Sequence, residues 1–274
     1  MAYLTLSDGC PLWYSDEGEG PVMVMLQGLQ FPCGYFWQKV TAPLAAHNRV
    51  LTIDMRGQGL SGKSIGGHTI AGNADDLAEA LAILGLEKVL LLGVAYGGMV
   101  ALTYLQRHGA VRLRALCLSE MTPRLTNDEG WAHPTFGDFS AEAGAGFVAG
   151  VRADRTAALG GFLMASFAVL PDETALTEMT AQTWLTPTET VATLIADMVE
   201  QDYRAFIPTI RVPTLLVYGR ANNPVMPGPV GRWIAAALPG SRLVELAAAG
   251  HSPFWDDPAG FAGAVNEFAT LQNQ

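Results

Sequence analysis

The segment Leu90-Leu91-Leu92-Gly93-Val94-Ala95-Tyr96-Gly97-Gly98-Met99 has the pattern of a strand that turns sharply into a helix. Glycines flank a central residue, as a tight and strained turn requires if it is to push one side chain clear of the strand ends. The start of the following helix favours negative charge at the same point. That combination suits a nucleophile attacking a carbonyl, because the tetrahedral oxygen then develops its charge beside preorganised donors. The central residue is Ala95, which has no nucleophilic atom. The other use of a glycine-rich strand-to-helix turn is phosphate binding. The spacing here is not Gly-x-Gly-x-x-Gly and no basic residue stands nearby, so dinucleotide binding is set aside.

Positioning such a turn needs a rigid sheet. Short apolar runs at Val22–Gln27, Arg49–Ile53 and Val89–Gly93 read as buried parallel strands, and Leu113–Leu118, Thr214–Tyr218 and Ser241–Leu246 share that character. Between them Ala74–Leu84, with Leu77, Leu81 and Leu84 on one face, and Met99–Arg107 carry helical periodicity. Gly85 is placed to end the first helix. This alternation predicts an α/β fold with a mainly parallel, doubly wound sheet. From about Thr122 to Phe206 the rhythm breaks into Gly/Ala-rich helical stretches with many large apolar side chains. We read a core over 1–121 and 208–274, with a helical cap inserted over 122–207.

Four motifs, the turn included, fall in order along the chain: Gln27-Gly28-Leu29 after the first of these strands; Asp54-Met55-Arg56-Gly57-Gln58-Gly59-Leu60-Ser61 after the second; the turn around Ala95; and Ala249-Gly250-His251-Ser252-Pro253-Phe254, followed by Asp257-Pro258. Together they resemble the α/β-hydrolase superfamily along almost the whole chain. The resemblance implies the α/β-hydrolase fold and a serine at position 95, with His251 as the general base that takes its proton. It also implies an oxyanion hole built from the backbone N–H groups of Leu29 and Tyr96. Gln27 replaces the family's usual histidine. In many members the acid that orients the base follows a strand in a Gly-x-x-Asp pattern, here Gly219-Arg220-Ala221-Asn222, so that slot holds an amide. Another branch puts the acid directly after the strand that follows the turn's helix, which selects Glu120. Either Glu120 or Asn222 would then partner His251, and Glu120 alone can balance an imidazolium charge. An ion pair to Arg124 is the structural alternative for Glu120. Asp54 and Arg56 are expected to brace the loop near the oxyanion hole, and Asp256 and Asp257 to cap the last helix.

Gln27, Gly28, Trp131, Phe136 and Trp184 are expected to contact substrate, in an apolar pocket under the cap. His47, His68 and His108 are expected at the surface, and His133 lies in the cap, where it can reach a substrate. Cys10, Cys33 and Cys117 are widely spaced and form neither a disulfide framework nor a zinc site, so no metal and no cofactor is expected. The net charge of -10, with no Lys/Arg cluster, argues against nucleic acid or an anionic membrane as partner. The N-terminal residues lack a basic region followed by an apolar run, and a cytoplasmic monomer or homodimer is expected. Ala95 leaves three functional readings. The first is a Ser–His–Glu hydrolase of an ester, lactone or amide with a hydrophobic acyl or aryl part, inactivated by a Ser-to-Ala replacement; an N-acyl-homoserine lactone hydrolase or acylase is one candidate. The second is cofactor-free oxygenation or other non-hydrolytic chemistry by His251 and Glu120. The third is a catalytically inactive small-molecule binding protein.

Overall fold

Apolar residues on both faces of successive strands drive helices onto both sides of one sheet. In the computed structural model, which describes residues 2–128, 130–221 and 223–273, the chain runs β1 (Ala2–Thr5), β2 (Pro11–Glu17), β3 (Val22–Leu26), α1 (Cys33–Phe36), α2 (Thr41–Ala45), β4 (Arg49–Ile53), α3 (Ile70–Ile83), β5 (Val89–Val94) and α4 (Tyr96–His108). It continues through β6 (Leu113–Ser119), α5 (Ala141–Ala153), α6 (Arg155–Ala165), α7 (Glu173–Thr183), α8 (Thr188–Glu200), β7 (Thr214–Gly219), α9 (Pro229–Ala237), β8 (Arg242–Leu246), α10 (Pro253–Asp256) and α11 (Pro258–Leu271). The strands form an eight-stranded sheet in the order β1-β2-β4-β3-β5-β6-β7-β8. Pairing is antiparallel for β1–β2 and β2–β4 and parallel for the rest. The six strands expected from apolar runs are present, each within a residue of its expected ends. The β1–β2 pair was not anticipated, because neither strand is a continuous apolar run: β1 buries only Leu4, and β2 mixes buried Leu12, Trp13 and Ser15 with exposed residues.

The period-two alternation sorts the core into two layers. Leu91, Leu116, Leu118 and Leu216 face α3, α4 and α9, where they meet Leu77, Leu81, Met99 and Ile234. Leu90, Leu92, Cys117 and Val217 face the other way, against Trp37, Leu44, Phe261 and Val265. Register then lines up the carboxyl ends of the strands. Leu26 sits opposite Gly93, Val94 opposite Ser119, Ser119 opposite Val217, and Gly219 opposite Leu246. The loops leaving β3, β5, β6, β7 and β8 therefore open at one edge, the place where open α/β sheets build sites.

Between β6 and β7 the chain forms α5 to α8, with a small core of their own that includes Val148, Val151, Leu159, Val191 and Ile195. Three of these helices begin on a side-chain cap. Ser140, Asp154 and Asp172 accept the backbone N–H groups of Ala143, Ala157 and Ala175 at 2.9–3.0 Å. Among the described residues no helix is long and apolar enough to cross a membrane. Cys10, Cys33 and Cys117 are buried and unbonded.

Candidate active site

The turn between β5 and α4 holds Ala95 at φ 48° and ψ −112°, in the left-handed half of conformational space that alanine rarely visits. The surrounding glycines explain how this is tolerated. A Cβ on Gly93 would lie 2.4 Å from the Gly97 carbonyl oxygen, and one on Gly97 would lie 2.4 Å from that of Leu26. The Ala95 N–H donates to the Ser119 carbonyl at 3.0 Å, which fixes the turn against the neighbouring strand. Ala95 lines a cavity whose wall also includes residues of α5, α6, α7 and α8.

Glu120 follows β6 directly and is also left-handed, with φ 48°. Its side chain is fully buried. A buried carboxylate must be satisfied by donors, and here there are three. The Gly219 N–H donates to Oε1 at 2.5 Å, and Asn223 Nδ2 and His251 Nδ1 meet Oε2 at 2.9 and 3.2 Å. Nδ1 is thus the ring nitrogen that meets the acid, and His251 also lines the cavity. Arg124 is not the partner of Glu120; it pairs with Asp128. Asn222 lies outside the described residues. An amide that does reach the acid among the described residues is Asn223, which sequence reasoning did not single out.

His251 is 7% exposed and stands on the loop after β8, with Phe162 of α6 edge-on to its ring at 5.9 Å. That loop comes within reach of Glu120 only because Gly219 ends β7: a Cβ there would lie 2.1 Å from the Gly250 carbonyl oxygen. Asp257 caps α11 through the Gly260 N–H at 2.9 Å, as expected. Asp256 does something else. Its Oδ2 accepts the N–H groups of Gly250 at 2.8 Å and Ala168 at 3.0 Å, tying the His251 loop to the α6–α7 segment. Burial pushes its carboxyl above the ordinary aspartate range, against the pull of those two donors.

Leu29 and Tyr96, whose N–H groups the family resemblance implies for the oxyanion hole, both line the cavity beside Ala95 and His251, and so does Gly28. Gln27 does not line it; it is buried, with Nε2 3.4 Å from the Phe31 carbonyl. Asp54 braces this region through the N–H groups of Cys33 at 2.6 Å and Leu60 at 2.7 Å. Arg56 is bidentate to Asp76 at 2.7 Å for each bond and also pairs with Asp8. Both residues act as scaffold.

The cavity has a volume of about 1080 Å³, its open mouth included. Its wall is aromatic and aliphatic, with Phe31, Phe36, Phe136, Phe139, Phe147 and Phe162 around Leu159, Ile195 and Met198. No Lys, Arg, Asp or Glu lines it among the described residues. Besides Gln27, two of the expected substrate contacts lie off this wall. Trp131 is buried, edge-on to Trp233 at 5.2 Å, because it plugs the seam between the segment after β6 and α9. Trp184 is 54% exposed and stacks outside on the Arg155 guanidinium at 4.8 Å. His133 packs on Trp131. His47 and His108 are exposed, and His68 is half-buried, its Nε2 2.8 Å from the Ser64 carbonyl. Among the described residues no cluster of His, Cys, Asp or Glu could hold a metal ion.

Comparison with known proteins gives a consistent picture. A pimeloyl-[acyl-carrier protein] methyl ester esterase from Chromobacterium violaceum is 28% identical over 263 residues, covering 95% of this chain and 99% of the relative. Among solved structures, an esterase from Exiguobacterium antarcticum superposes with a TM-score of 0.90 at 24% identity, covering 99% of each chain. The enol-lactonase from Burkholderia xenovorans superposes with a TM-score of 0.84 at 25% identity, covering 98% of this chain and all of that one. The family model described as the alpha/beta hydrolase fold matches residues 21–258. The chain belongs to the α/β-hydrolase fold family.

Proposed function

We propose that this protein carries an acyl-transfer site of the Ser–His–Glu type, built for an ester, lactone or amide with a hydrophobic acyl or aryl part, in which Ala95 has taken the place of the nucleophile. The reading rests above all on one observation: a base paired to a buried carboxylate opens, beside the elbow, into a cavity without a charged wall residue. The substrate carbonyl sits over Ala95, its oxygen toward the N–H groups of Leu29 and Tyr96 and its apolar part under the cap. His251 Nε2 faces the carbonyl, and Glu120 stabilises the imidazolium that proton uptake creates. With no hydroxyl at position 95 the covalent route is closed. The oxyanion hole and binding alone leave roughly 10³–10⁴-fold catalysis over water in proteases stripped of their triad, and this chain is expected near that level. The esterase and lactonase relatives support the same bond class.

Binding tests the substrate class without needing turnover. Burial of a methylene in such a wall is worth about 0.8 kcal/mol, so p-nitrophenyl octanoate should bind the unaltered protein on the order of 10²-fold more tightly than the butyrate. A carboxylate at the far end of the octanoyl chain should cost at least tenfold, since no wall residue can pair with it. Isothermal titration calorimetry reads both. Equal affinity for the charged and uncharged chains would overturn the proposal.

The intact His251–Glu120 pair beside a residue that cannot attack favours one second reading, cofactor-free oxygenation of an aromatic heterocycle, which needs the base and not the serine. Oxygen consumption by the unaltered protein with such a substrate identifies it.

A further inference from the structure

A buried guanidinium with no carboxylate partner needs another reason to be where it is. Arg155, the first residue of α6, is 5% exposed. Among the described residues it has only carbonyl acceptors: Thr186 at 2.6 Å and Thr183 at 2.7 Å on the backbone, and the side chain of Gln30 at 3.1 Å. The first two belong to the end of α7 and the turn into α8. The third belongs to the loop after β3.

Gln30 is the residue immediately after Leu29, and it sits at φ 74°, a conformation that favours glycine. All of its polar handles but one are taken. Its N–H donates to Gln58 Oε1 at 2.7 Å, its carbonyl accepts the Thr186 hydroxyl at 2.9 Å, and its Oε1 accepts Arg155. The Thr186 hydroxyl also accepts the Gly59 N–H at 3.2 Å. Two of the three constraints on Gln30 thus come from the α5–α8 segment and one from the core. A left-handed glutamine persists only where its surroundings over-determine it, so releasing the α5–α8 side frees the peptide that precedes it, which carries Leu29.

We propose that Arg155 is a positioning residue, which couples docking of the α5–α8 segment to the shape of the loop that presents the Leu29 N–H to the cavity. Closure over a bound acyl chain and alignment of one oxyanion donor are then a single event. The catalytic meaning of that coupling rests on the acyl-transfer reading; the coupling itself does not.

Two variants separate these. Gln30→Leu cuts the side-chain link and leaves Arg155 its two carbonyls, while Arg155→Met removes the hub, with Arg155→Lys as its partial rescue. Amide hydrogen exchange followed by mass spectrometry is read on the loop peptide carrying Leu29 and on the α6–α8 peptides. Both are expected to exchange at least tenfold faster in Gln30→Leu, and to do so together. Faster exchange in the loop alone, or in neither, overturns the coupling, and Gln30→Leu decides this even if Arg155→Met does not fold. In the Ala95→Ser background, loss of one aligned oxyanion donor costs on the order of 10²-fold in kcat, so Gln30→Leu should lower kcat by about ten- to a hundredfold with KM changed less than threefold. A rise in KM at constant kcat contradicts the positioning role and assigns the residue to substrate binding. Coupled exchange in a protein that stays inactive after Ala95→Ser upholds the coupling and defeats the acyl-transfer reading instead.

Discussion

Ala95→Ser is expected to raise p-nitrophenyl ester hydrolysis on the order of 10³- to 10⁶-fold over the unaltered protein, the span bounded above by the cost of removing a triad serine from a protease. The backbone needs no change to accept it. Residue 95 already sits at φ 48° with its β-carbon on the cavity wall, and Gly93 and Gly97 already provide the close approach that this turn demands. On the acyl-transfer reading the added oxygen meets His251, whose Nδ1 is engaged by Glu120. A proton can therefore leave the hydroxyl as the new bond to the acyl carbon forms, and then pass to the leaving group. Initial rates on butyrate and octanoate esters measure the gain. An increase below tenfold on both would mean that the distance from residue 95 to His251, or the donor alignment, is not that of a working site.

The second large effect concerns the acid. In the Ala95→Ser background, Glu120→Gln is expected to lower kcat about 10⁴-fold, the size of effect seen when a triad carboxylate becomes an amide. The reason is electrostatic more than steric. Glutamine fills the same space and can still accept the Gly219 N–H, but it carries no charge against the imidazolium, and its amide nitrogen favours the wrong imidazole tautomer. Asn223, which holds the same carboxylate oxygen at 2.9 Å, offers no substitute negative charge. Steady-state kinetics on the double variant test this. A loss smaller than tenfold would remove Glu120 from the mechanism and leave its burial to be explained by structure alone.

How much of this was legible before folding depended on the range of the forces involved. The strands were, because a strand buried on both faces is a continuous apolar run with few alternative uses. The turn at Ala95 was, because glycines at fixed spacing report a local backbone demand. Glu120 was reached through the family resemblance, yet its bond to the Gly219 N–H depends on where β7 ends, 99 residues later in sequence. The cap was the least readable. Trp131 and Trp184 are as large and apolar as Phe162, but of the three only Phe162 reaches the cavity, since packing between segments distant in sequence decides it and no local pattern encodes that packing. Asp256 failed for a similar reason: its position before a helix suggested a cap, whereas the donors that claim it, Gly250 and Ala168, come from two separate segments.

The central claim is that this site lacks a nucleophile and nothing else. Intact-mass spectrometry of the Ala95→Ser variant after exposure to a long-chain alkyl fluorophosphonate tests it most directly, since phosphonylation requires an activated serine beside a working base and donors. The expected result is one phosphonyl adduct per chain, mapped to the peptide containing residue 95, absent from the unaltered protein and lost again when His251→Ala is added. A folded Ala95→Ser variant that takes up no adduct would contradict the claim.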